Sequence, residues 1–249
     1  MISFCNGIPT EDFSDFKKNE FEFEGRRAVL VCPETSNATS KWLLKTEYFG
    51  VFPELEMQML KRGWYVAYLK NINRWGIDQD IDVKKAFADY LHEKYGLYKK
   101  CVPVGMSAGG LHAIKLAAKF PQMISSLYLD APVINILSCL NLGGSSTPNE
   151  ALKEEVLKSL NITMSELISY RGHPLDKLHL LVTNRTPIIL VYGKKDKIVP
   201  FEENGALLIK AYDGTGIDIK FYGKEDCGHH PHGLGDPTPI IDFILKHAD

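Results

Sequence analysis

The chain has 249 residues, of which 45% are hydrophobic and 24% are charged, and its formal net charge is −2 at pH 7. These values are typical of a globular protein with one large α/β domain or two small ones. No basic block is present, which argues against nucleic acid as a partner, and no apolar run reaches the length of a membrane span.

The N-terminus and the cysteines predict a reducing, cytoplasmic location. Met1–Gly7 lacks the basic region and apolar core of a secretory signal. The five cysteines are scattered and contain no C-x-x-C pair, which predicts reduced thiols. They are Cys5, Cys32, Cys101, Cys139 and Cys227.

Strands and helices alternate along the chain. Period-2 alternation and short apolar runs predict strands at residues 21–24, 28–32, 64–69, 101–104, 124–129, 187–192 and 217–222. Helical spacing predicts helices at residues 53–62, 82–95, 110–120 and 240–247. This order predicts an α/β fold with a mostly parallel sheet wound on both faces, in one domain that spans residues 1–249.

The segment from about 135 to 185 breaks this rhythm. It is polar, contains a Gly-Gly-Ser-Ser run and offers helices but no strand. We interpret it as a helical cap inserted after a strand, with a pair of ordinary crossover helices as the alternative.

Residues 105–109 fit the pattern G-x-S-x-G between a predicted strand and a predicted helix. This context is typical of a nucleophile elbow, a strained turn that exposes a serine at the carboxyl edge of the sheet. Ser107 is therefore the predicted nucleophile. The backbone N–H of Ala108, at the helix start, is a predicted oxyanion donor.

A triad on this architecture continues with an acid and then a histidine. Asp196 follows the strand at 187–192, and Asp130, at the end of an earlier strand, is the alternative acid. His229 follows the last strand and is the predicted base, with His230 and His232 as alternatives. Three histidines within four residues also suggest a metal site as an alternative interpretation. We expect no metal, because neighbouring residues point in different directions and no helical ligand spacing is present.

The remaining site predictions concern the pocket. The second oxyanion donor normally lies in the loop after an early strand, which here is the loop at residues 33–36 and places the donor near Glu34 or Thr35. Trp42, Tyr48, Phe49 and Trp75 are candidates for the substrate pocket or for the core.

Several segments carry a family resemblance. They are residues 105–110, 193–200, 228–234 and 236–244, together with 41–50 and 172–176. The first two are similar to the α/β-hydrolase superfamily, and the others resemble a bacterial group of α/β-hydrolases described as esterases and linked to plant-polysaccharide breakdown. The resemblance implies an α/β-hydrolase fold. Members of that group often have Arg where this sequence has Ala108, and many have a secretory signal. These departures favour small acylated sugars or other soluble esters as substrates.

The sequence thus predicts a serine hydrolase that cleaves a small carboxylic ester through an acyl-enzyme and needs no cofactor. An aminopeptidase or amidase would use the same residues plus a carboxylate in the cap, for which Glu150, Glu154 and Glu155 are candidates. A non-catalytic binding module with a hydrolase-like fold is the other alternative.

Overall fold

The computed structural model describes residues 10–248, so Cys5 and the Met1–Gly7 segment lie outside the described residues. The strands are β1 (Lys17–Phe23), β2 (Arg26–Cys32), β3 (Trp42–Lys45), β4 (Tyr65–Leu69), β5 (Val102–Met106), β6 (Leu127–Asp130), β7 (Ile188–Gly193) and β8 (Ile219–Lys224). The α-helices are α1 (Glu54–Lys61), α2 (Asp78–Tyr95), α3 (Ala108–Lys119), α4 (Ile136–Cys139), α5 (Glu150–Leu160), α6 (Met164–Ser169), α7 (Leu178–Thr183), α8 (Gly205–Tyr212) and α9 (Thr238–Lys246).

The strands form one sheet in the order β1-β2-β4-β3-β5-β6-β7-β8. From β4 to β8 every neighbouring pair is parallel, whereas β2 is antiparallel to both β1 and β4. The predicted mostly parallel sheet is confirmed. The strand β3 was missed because it is only four residues long.

Successive strand residues face two different cores. Leu44 packs in a cluster with side chains of α2, α3, α7 and α8, whereas Leu43 packs in a cluster with side chains of α1 and α9. Both leucines are fully buried. Burial of such a side chain contributes about 1.5–3 kcal/mol, so both helical layers hold the sheet in place. The predicted winding of helices on both faces is confirmed.

The parallel strands end at a common edge, which we call the carboxyl edge. Ser107 follows β5, Asp196 lies in the loop after β7, and His229 lies in the loop after β8. In an open parallel sheet, loops at this edge form the ligand site.

The region between β6 and β7 contains four α-helices, one short 3-10 helix and no strand within the part of the chain described. Apolar side chains of α4, α5 and α6 form a third cluster with Trp75, Leu111 and Val199. The last helix of the region, α7, instead contacts α3 and α8, in the helical layer that packs against Leu44. We call residues 136–169 the helical segment.

No α-helix within residues 10–248 combines the length and the apolar character needed to cross a bilayer. The cysteines within this range are free: Cys101 and Cys139 are buried, whereas Cys32 and Cys227 are partly exposed. The cytoplasmic location stays a prediction.

Candidate active site

Ser107 occupies a strained turn between β5 and α3. Its φ of 51° and ψ of −122° lie in a region that non-glycine residues rarely adopt. Neighbouring glycines make the turn possible because their backbones pack too closely for side chains. A Cβ on Gly105 would lie 2.7 Å from Gly110 Cα, and one on Gly110 would lie 2.3 Å from Pro132 Cβ. This packing holds Ser107 at the carboxyl edge.

Ser107, His229 and Asp196 form a continuous chain of hydrogen bonds. His229 Nε2 lies 2.9 Å from Ser107 Oγ, and His229 Nδ1 lies 2.7 Å from Asp196 Oδ2. The other carboxylate oxygen of Asp196 accepts hydrogen bonds from the backbone N–H groups of Ile198 and Val199. The side chains of His229 and Asp196 are only 6% and 1% exposed. With its proton on Nδ1, His229 donates to Asp196 and accepts from the Ser107 hydroxyl, as general-base catalysis requires.

The alternative acid, Asp130, is paired with a different histidine. Its Oδ1 lies 2.8 Å from His232 Nδ1, and its Oδ2 accepts hydrogen bonds from Gly233 N and the Tyr128 hydroxyl. Burial raises the pKa of Asp130, but His232, Lys224 and the Gly233 N–H outweigh it, so the pKa lies below its usual value. Asp130 therefore anchors the loop that carries His229.

His230 is the exposed member of the histidine group, and its ring stacks on Phe52 at a centroid distance of 5.5 Å. Burial and the neighbouring His229 and His232 lower its pKa to about 4. The rings of His229, His230 and His232 lie 4.8–5.2 Å apart, centroid to centroid. The expectation that these side chains diverge is therefore wrong, because the loop turns between them.

The expected donor at Thr35 is also wrong. Since β2 runs antiparallel to β4, the loop after β2 lies at the opposite edge of the sheet from Ser107. There, Thr39 N donates to Gly63 O, just before β4 begins. The loop that does reach the carboxyl edge follows β3. Thr46 Oγ1 donates to Gly109 O at 2.8 Å, which holds this loop against the start of α3.

Ala108 is the first residue of α3, so its N–H is one of the unsatisfied donors at a helix N-terminus. Tyr48 has a φ of 57° and lines the cavity beside Ser107. The loop after β3 therefore lies beside Ser107, whereas Thr35 lies at the opposite edge of the sheet.

A cavity of about 420 Å³ opens beside Ser107. Its walls are mainly apolar and include Val51, Phe52, Met106, Val133, Leu152 and Val199. Leu152 belongs to the helical segment, as do Cys139 and Asn149, which also line the cavity.

Of the four aromatic residues predicted for the pocket or the core, two lie in each place. Tyr48 and Trp75 line the cavity. Trp42 is buried in the core and donates to Tyr98 O, and Phe49 stacks on Tyr68.

Sequence reasoning missed Arg74, which lines the cavity and forms a two-point ion pair with Glu155 of α5. Arg74 Nε and Nη2 lie 2.7 and 2.6 Å from the two carboxylate oxygens, and Trp75 Nε1 donates to the same carboxylate. A signal was available, because Arg74 follows β4 and so must lie at the carboxyl edge.

Comparison with known proteins supports the same architecture. The family model of the prolyl oligopeptidase family matches residues 60–248, about three quarters of the chain. The acylamino-acid-releasing enzyme of Mus musculus is 28% identical over 128 residues, which cover 50% of this chain and 17% of that enzyme. The chain thus spans about a sixth of the length of the curated relatives it matches.

Two solved structures illustrate the shared fold. Pyrococcus horikoshii acylaminoacyl peptidase superposes with a TM-score of 0.72 at 14% identity, over 94% of this chain and 42% of that chain. A Pyrococcus furiosus esterase superposes with a TM-score of 0.64 at 16% identity, over 94% and 93% of the two chains. The expected α/β-hydrolase fold is confirmed. Since the family model matches most of the sequence, the chain belongs to the prolyl oligopeptidase family of serine hydrolases.

Proposed function

We propose that this serine hydrolase cleaves small, uncharged carboxylic esters through an acyl-enzyme on Ser107. The observation that carries the proposal is the chain of two hydrogen bonds from Asp196 through His229 to Ser107. It ends beside an apolar cavity of about 420 Å³, which suits a small acyl group.

In this mechanism Ser107 Oγ attacks the substrate carbonyl while His229 Nε2 takes the hydroxyl proton. Asp196 stabilises the imidazolium and keeps the ring oriented. The N–H of Ala108 and an N–H of the Glu47–Tyr48 loop stabilise the oxyanion. His229 then protonates the departing alcohol, and water, activated by the same histidine, releases the acid from Ser107.

The charges near the cavity favour a neutral acyl group over a free amino terminus. An aminopeptidase needs a carboxylate to bind the substrate ammonium group. Glu155 already pairs with Arg74 and Trp75, and Glu150 pairs with Lys153 on the surface. Glu154 is exposed and does not line the cavity. These contacts support an ester, or an amide whose acyl group carries no free amine.

The second candidate is a peptidase that acts on amino-terminally acylated peptides. The names of the curated relatives and of the Pyrococcus horikoshii structure favour it, because they describe acylamino-acid-releasing and acylaminoacyl-peptidase proteins. The same residues serve this reaction, with the peptide amine in place of the alcohol as the leaving group.

Hydrolysis of matched substrates tests both candidates. We expect the wild type to cleave p-nitrophenyl acetate and butyrate with a higher kcat/KM than acetyl-alanine p-nitroanilide. Ser107→Ala should lower kcat by about four to six orders of magnitude. The exposed His179 lies outside the site, so His179→Gln is the matched control with unchanged rates. Preferred cleavage of the anilide would favour the peptidase. Ester hydrolysis no faster than that by Ser107→Ala would contradict the proposal.

A further inference from the structure

The three histidines around Ser107 have the arrangement of a transition-metal site. One ring nitrogen from each of His229, His230 and His232 lies within 4.8 Å of the other two. Ligand nitrogens around a tetrahedral zinc ion lie about 3.4 Å apart, since Zn–N bonds measure about 2.0–2.1 Å. Binding of one ion would therefore require the three nitrogens to move closer together.

Two buried carboxylates prepare these histidines as ligands. Asp196 holds His229 Nδ1 at 2.7 Å, and Asp130 holds His232 Nδ1 at 2.8 Å. Each pairing leaves Nε2 as the nitrogen available to a ligand. A metal-binding histidine usually donates its other N–H to a carboxylate in this way, which fixes the ring and raises its basicity.

The site is also accessible. His230 is exposed, whereas the two carboxylate-paired histidines are buried, and all three line the cavity beside Ser107. An ion can therefore enter through the cavity and meet His230 first. Water or a carboxylate product would complete a tetrahedral coordination shell.

We propose that His229, His230 and His232 bind one divalent transition-metal ion, Zn²⁺ above all, and that the bound ion inhibits hydrolysis. Inhibition follows because His229 Nε2, which lies 2.9 Å from Ser107 Oγ, coordinates the ion and no longer accepts the serine proton. The inhibition rests on the proposed function, whereas the metal binding does not.

Metal binding is measured first on Ser107→Ala, without substrate, through the visible absorption of added Co²⁺ and its displacement by Zn²⁺. We expect one equivalent to bind with a tetrahedral spectrum. In the same background, His230→Gln should weaken binding at least about tenfold, as loss of a supporting interaction alone costs 10–100-fold. Because His230 is exposed, its replacement is compatible with the fold.

Two control variants locate the ion. His179→Gln removes an exposed histidine on α7, and Cys227→Ser removes a thiol whose Sγ lies 3.2 Å from His230 O. Both should retain the affinity of the Ser107→Ala parent. Absence of Co²⁺ binding, full affinity in His230→Gln, or loss of affinity in Cys227→Ser would overturn the proposed site.

Inhibition is measured as the rate of p-nitrophenyl butyrate hydrolysis by the wild type and by His230→Gln. The rate of each protein with the metal is compared with its own metal-free rate. Zn²⁺ should inhibit the wild type reversibly, with full recovery in EDTA, and the inhibition constant of His230→Gln should be at least about tenfold higher. Binding without inhibition would contradict the second half of the proposal. An inactive wild type that still binds Co²⁺ would contradict the proposed function and leave the metal site standing.

Discussion

At the scale of single residues, two aspartates compete for the role of triad acid, and the contacts distinguish them. Asp196 contacts His229 directly, whereas Asp130 contacts His232 and the Gly233 N–H. Both carboxylates are buried, so burial does not separate them. In the proposed mechanism, the hydrogen bond to His229 assigns Asp196 to stabilise the imidazolium, whereas the contacts of Asp130 hold the loop.

Replacing each aspartate by asparagine separates these roles. Asp196→Asn should lower kcat about 10⁴-fold with little change in KM, because an amide favours the wrong tautomer of His229. Asp130→Asn keeps the Asp196–His229 contact and should lose less than about 10²-fold. The measurement is steady-state hydrolysis of p-nitrophenyl butyrate, with circular dichroism as the folding control. A larger loss in Asp130→Asn than in Asp196→Asn would reverse the assignment.

At the scale of elements, the Arg74–Glu155 ion pair joins the loop after β4 to helix α5 of the helical segment. Side-chain exposures of 21% and 37% place this pair at the cavity rim rather than in the core. Such a pair adds modest stability, but it neutralises the cation that lines the cavity. Under the proposed function, we therefore expect it to influence which acyl groups the cavity accepts.

Glu155→Gln leaves the charge of Arg74 uncompensated beside the cavity. The measured quantity is a substrate ratio: kcat/KM for a p-nitrophenyl ester whose acyl chain ends in a carboxylate, divided by kcat/KM for p-nitrophenyl butyrate. We expect this variant to raise the ratio by about tenfold. Glu150→Gln is the matched control on the same helix, because Glu150 pairs with Lys153 on the surface. An unchanged substrate ratio in Glu155→Gln would show that Arg74 does not reach the acyl group.

The elements also explain how far sequence reasoning extends. Two features of the site could be predicted from the sequence. The glycines around Ser107 form a short motif, and Asp196 and His229 each follow a recognisable strand in the expected order. The direction of β2 could not be predicted, because an apolar strand looks the same whether its neighbour is parallel or antiparallel. That ambiguity placed the second donor at Thr35, when the short strand β3 brings the Thr46–Tyr48 loop to the site instead.

At the scale of the whole molecule, buried titratable groups couple stability to pH. His112 lies in α3 and is fully buried. Burial lowers its pKa well below 6.5, and the nearby cations of Lys84 and Lys115 lower it further. The unfolded chain therefore binds a proton near pH 6.5 that the folded chain does not bind.

Because the unfolded state binds more protons below this pH, the free energy of unfolding should fall as the pH decreases from 7 to 5. One such histidine contributes a slope that approaches about 1.4 kcal/mol per pH unit as the pH falls well below 6.5. His112→Leu has no titrating group there, so its slope should be smaller by about this amount, whatever its stability at pH 7. Urea denaturation at several pH values measures both slopes. Equal slopes in the two proteins would mean that His112 does not contribute.

In the proposed mechanism, Ser107 is a nucleophile that His229 activates. The most direct measurement is the reaction of the folded protein with a fluorophosphonate probe, followed by mass spectrometry of the labelled peptide. We expect one label on Ser107, none in Ser107→Ala, and strongly slowed labelling in His229→Gln. A folded wild type that remains unlabelled, or that carries the label on another residue, would contradict it.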